Sequence, residues 1–160
     1  MTETTTAEPI IISPKVEEPK ETSSLSRETP AVLDVGGPMG DIGINLTRGD
    51  FVDVICTAEC LPFPNNTFEE VHSSHVIEHV SNPAMMLDEM VRVSKHVIFV
   101  SCPHRLSPWA GRFANKDHKH LFNLSWFRDY CKSRRLKISG EICWTFSRFL
   151  ELRVIICKIV

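Results

Sequence analysis

The alternation of short apolar runs with stretches of helical periodicity constrains this chain more than any other feature of its sequence. The run AVLDVGG at 31–37 stops at paired glycines, as a buried strand entering a tight loop does. The segment 81–95 predicts a helix, because Asn82 can cap it and Pro83 suits its first turn. The remaining predicted elements are strands at 42–47, 50–56, 68–75, 96–102, 136–146 and 150–160, and an amphipathic helix at 125–135. This order predicts an α/β fold with a mostly parallel sheet, whose ligands bind beyond the carboxyl ends of the strands.

The connection between the first two predicted strands is too short for a crossover helix. It runs from Gly36 to Ile42, whereas parallel neighbours usually need a connection of about a dozen residues or more. We therefore predict a minimal sheet that lacks the first crossover helix. One wall of a site at this edge would be thin, or supplied by the N-terminal segment or a second subunit. A homodimer would cover the apolar surface left open.

Residues 1–30 differ in composition from the remainder of the chain. They are dominated by Thr, Ser, Glu, Pro and Lys, and six acidic residues against three basic ones give the segment a charge of −3. Such a segment buries too little apolar surface to offset its ordering entropy, so we predict a disordered tail at 1–30 and one folded domain at 31–160. No apolar run approaches about 20 residues and the start lacks a signal-peptide pattern. We therefore expect a soluble, cytoplasmic protein that does not enter a membrane.

Basic residues are concentrated between Arg92 and Lys137. This stretch holds eleven lysines and arginines, opposed only by Asp117 and Asp129. A solvated surface accounts for the pattern, and so does an anionic partner or substrate held by Coulomb attraction. The sequence leaves both interpretations open.

Three segments in succession resemble the small class I S-adenosylmethionine-dependent methyltransferases, in particular the methyltransferase type 11 group. They are VLDVGGPMG at 32–40, ICTAECLPFPNNTFEEVHSSHVIEHV at 55–80 and MVRVSKHVIFVSCPHR at 90–105. The most specific piece is the ordered set of TAECLPFPNNTFE, SSHVIEHV and a helix ending in RVSK. The resemblance covers roughly residues 31–130. It implies a Rossmann-like sheet, S-adenosylmethionine as cofactor and transfer of its methyl group to an acceptor.

The resemblance also implies which residues contact the cofactor. Glycines of the first loop would let the backbone approach it closely, and Asp34 would orient that loop and contact the methionine part. The turn at 57–59 would border the adenine, and the turn at 74–75 would lie beside the methyl donor. The implied cofactor-binding residues are Asp34, Gly36, Gly37, Gly40, Thr47, Asp50, Thr57, Ala58, Glu59, Ser74 and His75.

Three positions depart from the family pattern. Pro38 stands where the loop usually has a glycine, Thr57 replaces the Asp of Asp-Ala-Glu, and Thr47 occupies the expected place of a ribose-binding acid, with Asp50 as a nearby substitute. These departures support an alternative, in which the chain is a non-catalytic relative that binds a nucleic acid or protein partner through the basic stretch.

The residues His75, Glu78 and His79 also spell His-x-x-Glu-His, the motif of inverted zinc peptidases. On a helix the two histidines would share one face and bind one metal, with Glu78 as the base. Five residues form a permissive pattern, and the methyltransferase resemblance accounts for the same residues together with their flanks. We therefore assign no metal ligand from the sequence and keep a zinc peptidase as the less favoured alternative.

Methyl transfer from a sulfonium needs mainly the alignment of nucleophile and methyl group, and a base only when the acceptor must first lose a proton. His75 is the first candidate for that base and His104 the second, because each follows a predicted strand. The acceptor is a small molecule or a nucleic acid. The basic stretch favours an anionic one.

Overall fold

The computed structural model describes residues 31–37, 40–108, 110, 116–146 and 149–159, with the backbone alone at 142–146 and 149. Predicted features that involve residues 1–30 and Pro38 lie outside this part. The strands are β1 (Val32–Val35), β2 (Ile42–Asn45), β3 (Val54–Ile55), β4 (Phe68–Ser74), β5 (Ser94–Pro103), β6 (Lys137–Phe146) and β7 (Phe149–Cys157). The helices are α1 (Pro83–Val93) and α2 (Leu124–Arg134). Among the described residues, no helix is both long enough and apolar enough to cross a bilayer.

All seven strands form one sheet in the order β3-β2-β1-β4-β5-β7-β6. The five strands from β3 to β5 are parallel, whereas β7 is antiparallel to both of its neighbours. Because the parallel strands share one direction, the carboxyl ends of β1 to β4 meet at one edge of the sheet. The prediction of a mostly parallel α/β sheet is confirmed.

Both helices begin at asparagine caps, as the sequence predicts for α1. The side chain of Asn82 accepts a hydrogen bond from the Met85 N–H at 3.1 Å, and Asn123 accepts one from the Trp126 N–H at 3.0 Å. Each cap satisfies one of the backbone donors that a helix start leaves without a partner. The observed bounds of α1 fall inside the predicted segment 81–95.

Both helices cover the same face of the sheet. Alternate residues of β1, β4, β5 and β7 form one apolar core with the buried sides of α1 and α2. Met86, Leu87 and Met90 of α1 and Phe127 of α2 are completely buried in it. On the opposite face, His72, Phe99, Arg153 and Ile155 line a shallow cavity of about 370 Å³ instead of contacting a described helix.

The connection from β1 to β2 contains no helix among its described residues, which confirms the prediction of a missing crossover. The register sets Ile42, the first residue of β2, beside Leu33, which lies two residues before the end of β1. The chain therefore runs back along β1 by only about 7 Å before β2 begins. The Asp41 N–H donates to the Val32 carbonyl at 2.8 Å, and the Asp41 carboxylate accepts from the Val32 N–H at 2.9 Å. Six residues therefore suffice to join two parallel strands here.

Candidate functional site

A cavity of about 500 Å³ opens where β1, β2, β3 and β4 end. Its volume lies in the range of about 300–1,000 Å³ that small-molecule sites occupy. The walls come from segments 35–36, 44–46, 56–59, 75–76 and 79–81, together with Lys119. The bend after β1, the turn at 57–59 and the turn after β4 thus surround one hollow, at the edge where a parallel sheet binds its ligands.

Gly36 lines this cavity at a position that only glycine fits. Its φ angle is +90°, in a region that side-chain-bearing residues rarely adopt. A Cβ atom there would lie 2.2 Å from Cγ2 of Val76, which lines the same cavity. The absence of a side chain lets the loop after β1 and the turn after β4 come into contact.

The cavity collects five of the residues that the sequence assigns to the cofactor or to catalysis. These are Gly36, Thr57, Ala58, Glu59 and His75. The others lie outside its walls: Asp34, Gly37, Gly40, Thr47, Asp50, Ser74 and His104.

The predicted residues outside the cavity have other surroundings. Asp34 is buried and, with Ser74, lines the shallow cavity on the opposite face of the sheet. Thr47 and Asp50 are exposed. His104 accepts a hydrogen bond at Nδ1 from the Leu106 N–H at 3.2 Å, beyond the end of β5.

Asn45 is a cavity residue that the sequence reasoning missed. It is the last residue of β2, two positions before Thr47. Its side-chain oxygen accepts from the Leu46 N–H at 2.7 Å, which fixes the amide beside the cavity. A signal was present in the sequence, because IGIN is a β-branched run that ends at a polar residue with the shape of aspartate. In this structure Asn45, and not Thr47, ends the second strand.

Lys119 brings a positive charge to the cavity from a distant part of the chain. Its backbone N–H donates to the Glu78 carbonyl at 2.8 Å, and its ammonium group donates to the Ser81 hydroxyl at 3.3 Å. The segment before α2 is thereby held against the turn that follows β4. In the sequence Lys119 belongs to the basic stretch, which indicated an anionic partner but did not assign this residue to the cofactor site.

His75 combines a strained backbone with a charged environment. Its φ of +56° lies in the left-handed region, which is uncommon for a residue other than glycine and is often associated with functional sites. Nδ1 lies 3.4 Å from Oε1 of Glu78, and Nε2 lies 3.9 Å from Oε1 of Glu151. The interaction with Glu78 raises the pKa of His75, Glu151 adds to this effect, and partial burial opposes it.

Glu59 and Thr57 also have structural roles in the cavity wall. The Glu59 carboxylate accepts a hydrogen bond from the backbone N–H of Asn82, at the start of α1. The Thr57 hydroxyl accepts from the Glu59 N–H at 3.3 Å. These bonds fix the turn at 57–59 against the first turn of the helix. This part of the wall is therefore held in place by hydrogen bonds within the chain.

The His-x-x-Glu-His segment is not helical. Residues 75–79 form a turn and not the helix that a zinc-peptidase site requires. The zinc-peptidase alternative is therefore wrong for this segment. The two histidines have different neighbours: His75 lies against Glu78 and Glu151, whereas His79 packs edge-on against His118, with ring centroids 4.8 Å apart.

One family profile matches part of the chain. Residues 41–97, a little over a third of the chain, match the profile of the family described as a methyltransferase domain. The matched segment includes β2 to β4, α1 and most of the cavity wall. The chain has no match among curated protein sequences.

Several solved structures have the same fold. A chain from the complex between the Haloferax volcanii Trm112 methyltransferase activator and a methyltransferase is 11% identical, with a TM-score of 0.66 over 81% of this chain and 83% of that one. An S-adenosylmethionine-dependent methyltransferase from Thermotoga maritima is 16% identical, with a TM-score of 0.62 over 81% and 83%. The [4+2] cyclase SpnF is 13% identical, with a TM-score of 0.64 over 82% and 75%.

The fold is that of the class I methyltransferases, in a minimal version without the first crossover helix. The resemblance read from the sequence is confirmed by the family match and by this fold. The similarity to a [4+2] cyclase shows that the fold alone does not determine the reaction.

Proposed function

We propose that this protein is an S-adenosylmethionine-dependent methyltransferase. The observation that carries the proposal is a cavity at the carboxyl edge of the sheet, whose walls combine the bend at Gly36, the turn at 57–59 and the turn at His75. These are the places to which the family resemblance assigns the cofactor. They are far apart in the sequence, and the fold brings them together.

The lining of the cavity suits an adenosyl cofactor in chemical terms. Leu46, Ala58 and Val80 offer apolar surface for a purine ring, and Asn45 offers an amide for hydroxyl groups of a ribose. The cofactor supplies a methyl group on a positively charged sulfur, which is displaced in line by the acceptor. The chain contributes a cavity whose walls would fix the orientation of the reactants, the main requirement of such a transfer.

His75 is the residue best placed to accept a proton from the acceptor. It lies in the cavity wall, and its strained backbone holds the ring between two carboxylates. The charges of Glu78 and Glu151 favour the protonated ring that results from proton abstraction. This arrangement supports His75 over His104, which lies outside the cavity.

Lys119 supports an anionic acceptor. It is the only lysine or arginine of the described residues in the cavity wall, and its side chain is anchored to Ser81 at the rim. A cation in that position attracts a carboxylate or phosphate group on a small molecule.

Calorimetric titration of the full chain with S-adenosylmethionine and with its demethylated product tests the proposal. We expect binding of one equivalent with a dissociation constant in the micromolar range. Leu46→Ala should weaken it about fivefold, because the loss of apolar contact costs about 1 kcal/mol. Leu121→Ala is the matched control, since both leucines are exposed and only Leu46 lines the cavity. Absence of binding to the unaltered chain would favour a non-catalytic relative.

A further inference from the structure

Glu78 is a buried carboxylate in an unusual environment. The residue is only 2% exposed, and neither carboxylate oxygen has a hydrogen-bond partner among the described residues. The His75 ring lies 3.4 Å away, within ion-pair distance. A buried charge without hydrogen bonds is costly unless a cation is bound to it. His75 approaches only Oε1, so Oε2 remains available to a second positively charged partner.

Two histidines beside Glu78 are prepared to bind a metal ion. Nδ1 of His79 lies 3.2 Å from the Asp117 carbonyl oxygen, and Nδ1 of His118 lies 3.0 Å from the Ala110 carbonyl oxygen. A carbonyl oxygen only accepts, so each Nδ1 carries the proton and donates. In the neutral ring the lone pair is then on Nε2. Histidines that bind metals are usually oriented in this way, with the other ring nitrogen donating to a carbonyl or carboxylate.

The three side chains are close enough to share one ion. One ligand atom from each of Glu78, His79 and His118 lies within 4.8 Å of the other two. Tetrahedral bonds of about 2.0–2.2 Å to zinc place the ligand atoms about 3.4 Å apart, so zinc binding would draw these three side chains together. Glu78 and His118 are both more than nine-tenths buried. Two imidazoles and one carboxylate form a ligand set typical of Zn²⁺ with one open position.

We propose that Glu78, His79 and His118 bind one zinc ion that joins the turn after β4 to the segment before α2. The site differs from the zinc-peptidase motif, because His118 takes the place of His75. The backbone already aligns the two segments, since the N–H groups of Lys119 and His120 both donate to the Glu78 carbonyl, at 2.8 and 3.3 Å. The ion would fix the part of the cavity wall that carries His79 and Lys119.

Metal binding to the full chain, without any cofactor, tests this site independently of the proposed methyl transfer. The protein is freed of metal with a chelator and titrated with Co²⁺, whose visible absorption reports four-coordinate binding, and then with Zn²⁺ in competition. We expect one equivalent per chain and a rise in melting temperature that a chelator reverses. In long-range nitrogen NMR spectra of the unaltered protein, Zn²⁺ should shift Nε2 of His79 and His118 while Nδ1 stays protonated.

Matched variants identify the ligands. Glu78→Gln keeps the size of the side chain and removes its charge. His118→Ala removes one of the two imidazoles. Each of these two single variants should weaken Zn²⁺ binding by more than the roughly 10–100-fold that the loss of an outer hydrogen bond costs. His75→Ala and His96→Ala should retain it, because His75 lies outside the ligand set and His96 is exposed near the opposite end of β5.

Each outcome decides the proposal. Absence of stoichiometric binding to the unaltered protein overturns it, as does binding that His75→Ala abolishes and His118→Ala leaves intact. If His118→Ala does not fold, the NMR shifts of the unaltered protein identify the ligands, and shifts confined to other histidines overturn the assignment.

Discussion

Asn45 is the residue on which cofactor affinity can be tested most directly. It ends β2 in the cavity wall, and the family resemblance implies a ribose-binding acid at the end of the second strand. Hydrogen bonds to a charged acceptor contribute about 1 kcal/mol more than neutral ones. We therefore expect Asn45→Asp to tighten binding of the demethylated cofactor about fivefold in calorimetric titration. The bond from the Leu46 N–H is retained, because aspartate has an oxygen in the same place.

Thr47→Asp is the control for this substitution. It adds the same charge at an exposed position outside the cavity, so its effect on affinity should stay below about twofold because water and salt screen it. The demethylated product is the right probe because it lacks the positive sulfur that any added carboxylate would attract. Equal tightening by both variants would show that Asn45 does not contact the ribose.

The sequence could not predict that Asn45, and not Thr47, ends the second strand. The β-branched run at 42–47 predicted the second strand, but the residue that ends a strand depends on where its ladder of hydrogen bonds stops. That point is set by pairing with Leu33 and Val35 in β1 and with β3. If the strand ends one or two residues earlier or later, the fold stays the same but a different side chain enters the cavity.

Lys119 and His118 were harder still to find from the sequence. Lys119 reaches the turn after β4 through hydrogen bonds to residues about forty positions earlier in the chain, and His118 reaches it through ring contact with His79. Local patterns do not report such contacts, so the basic stretch could be recognised only as a composition. The helices are the opposite case, because Asn82, Pro83 and the apolar spacing of α1 are adjacent in sequence and were sufficient to predict it.

At the scale of elements, the short connection between β1 and β2 depends on Gly40. A Cβ atom at this position would lie 2.7 Å from the Asp34 nitrogen and 2.9 Å from the Val32 carbonyl oxygen. Both are backbone atoms of β1, which cannot move without breaking the sheet. Gly40→Ala should therefore lower the free energy of unfolding by about 1–3 kcal/mol, the usual cost of overpacking. Urea denaturation of the full chain measures this change.

Gly49→Ala is the comparison for Gly40→Ala. It lies in the loop between β2 and β3, where a Cβ atom would meet only a Val52 methyl group at 3.6 Å, an ordinary contact. We expect a change within about 0.5 kcal/mol there. If Gly40→Ala is equally harmless, the return of the chain along β1 is not as tightly packed as the structure indicates.

At the scale of the whole molecule, the basic stretch from 92 to 137 is less charged than its sequence suggests. Four of its cations pair with acids that lie outside the stretch: Arg92 with Glu89, Lys95 with Glu69, Arg128 with Glu141 and Arg134 with Asp88. Glu89 precedes Arg92 by one turn of α1, whereas folding brings the other three acids in from β4, α1 and β6. The local surplus is thereby reduced, and the argument for a nucleic-acid partner is weakened.

This pairing predicts weak and moderately salt-dependent binding to nucleic acid. Six lysines and arginines of the described part of this stretch have no acidic partner among the described residues: Arg105, Lys116, Lys119, Lys132, Arg135 and Lys137. Each phosphate contact to a single strand contributes about −0.7 to the slope of log K against log salt, so contacts from these six give a slope of about −4. Fluorescence anisotropy with a labelled single-stranded oligonucleotide, at several salt concentrations, measures the slope.

Neutralising the paired acids should strengthen binding to the oligonucleotide. A variant with Glu69→Gln, Asp88→Asn, Glu89→Gln and Glu141→Gln frees four cations, so its affinity for the oligonucleotide should rise and its slope should become steeper. Nanomolar binding by the unaltered chain, with a slope well beyond −4, would mean that the surface was shaped for nucleic acid after all. In that case the cavity at Gly36 and His75 would have to be explained as a remnant of the fold, and the calorimetric titration with the cofactor would show whether it still binds a ligand.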